Sequence, residues 1–139
     1  MKYVYWIIGL AVLVGIGWLA SLGQPTVDNT TIEAADVVVS SPAASSTIAS
    51  PLTIAGTAVG GWYFEASFPV QLLDASNQVI ATGIAQAQSD WMTEDPVPFT
   101  ATITFPAQTA GSAGTLVLKK DNPSGEPSND DSLTVPVIF

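Results

Sequence analysis

The sequence contains no cysteine, no histidine and no arginine. Without cysteine there is no disulfide, no thiolate nucleophile and no lipidated cysteine behind a leader segment. Without histidine, Ser–His–Asp and Cys–His catalysis, ordinary zinc sites and imidazole pH switches all fall away. Basic charge is almost missing as well. Lys2, Lys119 and Lys120 stand against twelve acids, for a net charge of −9. Nucleic-acid binding draws most of its affinity from phosphate neutralisation by lysine and arginine, so the charge balance argues against that function. Docking of the acidic body on anionic lipid headgroups is disfavoured for the same reason. What the acid surplus does suit is a soluble, self-repelling surface, or divalent cations.

One long apolar run is present. Tyr3–Leu22 is twenty residues without a charge. As a helix it would span about 30 Å, the thickness of a bilayer core. Tyr3, Tyr5 and Trp6 lie near one end and Trp18 near the other, where interfacial aromatics sit. Lys2 precedes the run and acids follow it, which puts the N-terminus in the cytoplasm and the remainder outside. Residues 1–22 are therefore expected to be a single-pass anchor. The alternative is a signal peptide cleaved near Ser21-Leu22-Gly23, which would release a secreted protein, but the run is longer than the usual apolar core of such a leader.

Residues 23–36 are polar and aperiodic and read as a tether. Asn29-Thr30-Thr31 matches a glycosylation acceptor triplet, a pattern that also arises often by chance. From Val37 to Phe139 short apolar runs are cut by Pro, Gly, Asn and Ser. The longest is Trp62–Asp74. It alternates Trp62, Phe64, Ala66, Phe68, Val70 and Leu72 against Tyr63, Glu65, Ser67 and Gln71, the pattern of one long half-buried strand. Further strands are expected at Val37–Ser40, Leu52–Ala58, Val79–Gln88, Val97–Phe105, Thr115–Lys120 and Leu133–Phe139. Seven strands at this spacing, with turn signals between them and no helical period, predict an all-β fold: an immunoglobulin-like antiparallel β-sandwich behind one transmembrane helix. With no cysteine pair, core packing alone is expected to hold the two sheets together.

The stretches TIAGTAVGGWYFEASFPVQLLD, ATGIAQAQSDWMTEDPVPFTATITF and GTLVLKKDNPSGEPSNDDSLTVPVIF, taken in that order, resemble the immunoglobulin-like domain associated with bacterial spore germination. Gly56–Glu65, Asp90-Trp91, Phe99 and Val135-Pro136-Val137 carry the resemblance, which covers about Val37–Phe139. It implies a β-sandwich used as an accessory module outside a bacterial membrane, and it brings no catalytic residue with it.

Three groups of residues stand out as candidate sites. Tyr63, Glu65 and Gln71 would form a polar face of the long strand, although a half-buried carboxylate such as Glu65 is commonly there to accept structural hydrogen bonds. Trp91 lies among Met92, Asp90, Glu94 and Asp95, as a partner-binding aromatic or as a plug beneath the sandwich. Asp121, Asp130 and Asp131, with Asn122 and Glu126, place oxygen ligands on one loop that could hold calcium, without the spacing of a helix–loop–helix calcium site. Glu65, Glu94 and Asp95 do not define a glycosidase pair, because nothing fixes their separation.

The expectation is thus a non-enzymatic module with no cofactor, anchored in the membrane and binding an envelope protein or a cell-wall glycan. The alternatives are a structural spacer without a ligand and a calcium-dependent adhesion domain. N-terminal sequencing of the protein from its native membrane should return the Met1 end with the run retained. A mature chain beginning near Gln24 would replace the anchor with a cleaved leader.

Overall fold

The computed structural model describes residues 32–34 and 36–139. The expected membrane span Tyr3–Leu22, the alternative cleavage site at Ser21–Gly23 and the Asn29 triplet lie outside the described residues. Among the described residues no helix is long and apolar enough to cross a membrane.

Eight strands run antiparallel: β1 (Ile32–Ala34), β2 (Val37–Ser41), β3 (Leu52–Val59), β4 (Ser67–Leu73), β5 (Val79–Ala87), β6 (Pro96–Ile103), β7 (Ala113–Lys119) and β8 (Ser132–Ile138). Their order in space is β1-β2-β3-β6-β5-β4-β7-β8. The all-β expectation holds, and each of the seven expected strands has a counterpart. β1 was not expected. It occupies part of the stretch read as a tether, where Ile32 pairs with Val39 and Ala34 with Val37. Isoleucine and alanine flanking one glutamate are too short a pattern to announce a strand, and β2 supplies the pairing partner that makes one.

The long strand predicted over Trp62–Asp74 is broken. Gly60–Trp62 forms a turn of 3₁₀ helix, and β4 begins only at Ser67. Between them Phe64 and Ser67 close a two-residue hairpin through paired backbone hydrogen bonds of 2.9 and 3.2 Å. Glu65 and Ala66, its central residues, have φ of 49° and 64°, the left-handed values that such a turn requires. Period-two alternation is blind to this break, because a turn that inserts an even number of residues restores the parity beyond it. Trp62, Phe68, Val70 and Leu72 are accordingly buried as expected, while Phe64 is exposed and Tyr63 is buried against expectation.

Alternation elsewhere maps directly onto burial. Val97, Phe99, Ala101 and Ile103 of β6 point inward between exposed neighbours, as do Leu133, Val135 and Val137 of β8. The inward face of β5, which its small residues leave open in the sequence, is set by Ala85 and Gly83. A Cβ on Gly83 would lie 2.4 Å from the Ile103 side chain, so only glycine lets β5 come this close to β6.

That approach marks a seam. β5 pairs with β4 over most of its length and with β6 only at Gln86 and Ala87, so one strand joins both sheets. On the opposite side, residues after β2 run parallel to β8. Ser45 N–H donates to Pro136 O at 2.7 Å, Ile48 N–H to Ile138 O at 2.8 Å, and Ile138 N–H to Ser46 O at 3.0 Å. The expectation that core packing alone holds the sheets together is corrected: backbone hydrogen bonds tie them at both seams, and the sandwich is nearly a barrel. Closure of this kind removes free edges, which otherwise invite pairing with other chains.

The core is wholly apolar, with no buried polar or charged residue among those described. At its centre the Phe68 ring meets Trp62, Tyr63 and Phe99 edge-on, with centroids 5.7, 5.2 and 5.0 Å away. Phe68→Ala should cost about 3–5 kcal/mol, whereas exposed Phe64→Ala should stay within about 0.5 kcal/mol. Urea denaturation of the two variants checks this, and equal losses would restore the single long strand.

Candidate functional site

The strands place every long loop at one of two ends. Residues 60–66, 88–95 and 120–131, with the β1–β2 turn at Asp36, gather at the first. Residues 42–51, 74–78 and 104–112, with Phe139, gather at the second.

The loop of residues 60–66 organises the first end. Gly60 lies against the 88–95 loop so closely that a Cβ would come 1.9 Å from Thr93 O and 2.2 Å from Trp91 O. Trp62 O accepts the Asp121 N–H at 3.0 Å, which binds the 120–131 loop. Ala66 O accepts the Ala87 N–H at 2.8 Å, which fixes the hairpin to the end of β5. Two loops far apart in sequence and the end of β5 are thus hung on one short segment. Trp62 Nε1 is buried with no hydrogen-bond partner, the one such side-chain atom among the described residues.

This scaffold presents two large apolar side chains to solvent. Phe64 is 43% exposed at the hairpin and Met92 is 76% exposed on the 88–95 loop. Trp91 beside it is half-buried and packs against the core. Met92 is held out by its backbone, since Asp90 Oδ1 accepts the Met92 N–H at 3.0 Å and Trp91 O accepts the Thr93 N–H at 2.8 Å. The same end carries Asp36, Glu65, Asp90, Glu94, Asp95, Asp121, Glu126, Asp130 and Asp131, with Lys119 and Lys120. Asp74 is the single acid at the second end among residues 36–139, and its Oδ1 is engaged by the Ser76 and Gln78 N–H groups.

The structure separates the residues singled out from the sequence. Glu65 is not a half-buried strand acid; it is exposed at a turn, because the chain reverses there. Tyr63 does not lie on an open polar face. Its ring is in the core and its hydroxyl donates to Val97 O at 2.7 Å. Gln71 sits on the outer face of β4, away from both. Glu65 and Trp91 share the first end, whereas Tyr63 lies beneath it. Asp121, Asp130 and Asp131 sit on a loop built around Asn122, whose Nδ2 donates to Glu126 O at 2.8 Å and Asp130 Oδ1 at 2.7 Å. Among the described residues no three acids come together in a way that could hold a metal ion. Lys119 and Lys120 join Asp130, Asp131 and Ser132 around an open cleft of about 270 Å³. Parity alone assigns Phe64 to the core, and although Met92 stands beside Trp91 in the candidate group, nothing in the order of residues says which way it turns.

These loops on a two-sheet, backbone-closed body define an immunoglobulin-like domain. Residues 36–126 match the immunoglobulin-like domain of bacterial spore germination, Gmad2, and the chain belongs to that family. The match runs from the start of β2 into the loop after β7, so β8 with its Val-Pro-Val lies beyond it. Comparison with curated proteins and with solved structures returned no match.

Burial pushes the Tyr63 hydroxyl from its ordinary 10.0 up to about 12, with a backbone hydrogen bond at Ala58 opposing the shift. A raised folded-state pKa means that folding favours the neutral phenol. The contribution is complete below pH 10 and is lost as the pH rises through about 12. Unfolding midpoints should therefore fall over this window, and Tyr63→Phe should lessen that fall while costing about 1 kcal/mol at neutral pH for the lost hydrogen bond. An unchanged alkaline limb in the variant would assign it to another group.

Proposed function

We propose that this protein is a non-catalytic binding module of the bacterial cell envelope, held at the membrane by Tyr3–Leu22 and displayed on its outer side. The first end of the sandwich is its contact surface. One observation carries this reading: Phe64 and Met92 are exposed at the end that gathers nine of the ten acids of residues 36–139. An apolar centre with a charged rim is the anatomy of a protein interface. The partner that fits is an envelope protein with an apolar patch edged by lysine or arginine. Carboxylates around the rim would speed encounter with such a surface and lose that effect as salt screens them. Membership of a family named for spore germination supports an envelope setting.

Phe64 stands on a turn whose two central residues both hold left-handed backbone. Glutamate and alanine there cost about 1–2 kcal/mol each relative to right-handed backbone. Asparagine-glycine would hold the same turn without that cost.

The test is a photoreactive side chain at Met92 in the full chain, irradiated in intact cells. A discrete protein adduct should form, and Phe64→Ala should weaken it at least about tenfold, the loss expected for a truncated hot-spot residue. The urea midpoint of Phe64→Ala should stay unchanged. Adducts with glycan alone would transfer the partner to the cell wall. No adduct from Met92, or one indifferent to Phe64, would leave the domain a spacer.

A further inference from the structure

We infer that the second end of the sandwich rests on the headgroup layer of the bilayer, so that the acidic loop end points away from the membrane. This rests on the reading of Tyr3–Leu22 as an anchor and adds to it which way the domain faces.

The first support is the direction of the chain. β1 runs antiparallel to β2, and β2 ends at Ser41, where the 42–51 loop of the second end begins. Ile32 opens β1 opposite Val39 and Ala34 closes it opposite Val37, at the first end. The chain therefore enters the sheet from the side of the second end. Nine residues, Gly23–Thr31, separate Ile32 from the end of the apolar run. As a coil such a length covers about 17 Å, and at full stretch about 30 Å. Val39 pairs with Gly56, midway along β3, so Ile32 stands about 13 Å from Leu52 at the second end and about 10 Å from Val59 at the first; the tether reaches either end, and the direction of entry and the charge decide between them. β3 has eight residues, so a domain resting on its second end holds the first roughly 27 Å above the bilayer.

Charge decides in the same sense. Bilayer surfaces rich in anionic lipid repel carboxylates. Turning the domain over would press nine acids, offset only by Lys119 and Lys120, against that surface; the observed direction of entry presents one, Asp74, already engaged by its own turn.

The surface itself suits an interface between water and lipid. An open groove of about 440 Å³ at this end is lined by Ile48, Ala49, Phe105, Ala107, Ala110 and Phe139, with Ser50 and Gln108. Phe105 and Phe139 meet edge-on at 5.6 Å across it. Ser50 Oγ accepts the Phe105 N–H at 3.0 Å, so this end is a shaped surface. It carries no lysine or arginine, and it needs none, because the span supplies the membrane affinity and the groove only sets the tilt.

The chain has no native cysteine, so single labels are unambiguous. Full-length Ala107→Cys and Ser124→Cys, both at exposed positions on opposite ends, would carry an environment-sensitive fluorophore. Each would be reconstituted into phosphatidylcholine–phosphatidylglycerol vesicles containing lipid with a nitroxide on its headgroup. The inference expects loss of emission at position 107 and none at 124. Adding Ala110→Glu to the first variant should reduce its quenching in anionic vesicles and leave it unchanged in pure phosphatidylcholine. Equal quenching at both positions, quenching at 124 alone, or quenching at neither would overturn it. Alkaline flotation of the same vesicles separates the two failures. A chain that floats without quenching at 107 keeps its anchor and loses this orientation, whereas a chain that stays behind loses both.

Discussion

The edge-on contacts of Phe68 are the interaction on which the rest of this domain depends. Phe68 belongs to β4 and Phe99 to β6, strands of the two facing sheets, so their contact at 5.0 Å spans the core. Trp62 and Tyr63 close on the same ring from the loop that holds the first end together. Each such pair adds about 0.5–1.5 kcal/mol beyond the area it buries. In a chain without disulfides this cluster fixes both the spacing of the sheets and the position of residues 60–66. The loops on either side follow, because Asp121 hydrogen-bonds to that segment and residues 91–93 pack directly on Gly60.

Closure at both seams has a consequence for where charge can go. β5 bridges the sheets on one side and Ser45–Ile48 bridges them on the other. The body that results has two sheet faces and two loop ends. Across β2 to β8 the one charged residue is Lys119, at the end of its strand. Charge is thereby driven to the ends, and it is divided unequally between them. A domain of this kind has a direction, set by sequence composition in its loops and held by the topology that sorts those loops.

Membership in the spore-germination immunoglobulin-like family fits an envelope module, and the division of charge gives that module a working geometry. On the functional reading proposed, Phe64, Met92 and nine acids lie on the surface a partner would reach first. The opposite end, poor in charge and grooved by Phe105 and Phe139, is the one that can lie close to a membrane. On that reading, binding and anchoring are separated by the length of the strands, and neither has to compromise the core between them.

By itself the sequence determined the all-β class, the seven main strands and most of the core. Those follow from local alternation of apolar and polar residues, which a pleated strand converts directly into inside and outside. The missing residue types likewise excluded whole classes of chemistry without any structure. The tertiary structure alone decided that Trp62–Asp74 is a turn, a hairpin and a strand. An even-numbered insertion preserves parity, and glutamate-alanine is not a composition that announces a reversal. It alone decided that Tyr63 is buried and Phe64 exposed, that Ile32–Ala34 pairs as an eighth strand, and that β5 and Ser45–Ile48 seal the seams. It alone gathered the acids of four separate loops at one end, because strand direction, which sorts loops into ends, is a property of pairing between distant residues and leaves no mark in the local order of the chain.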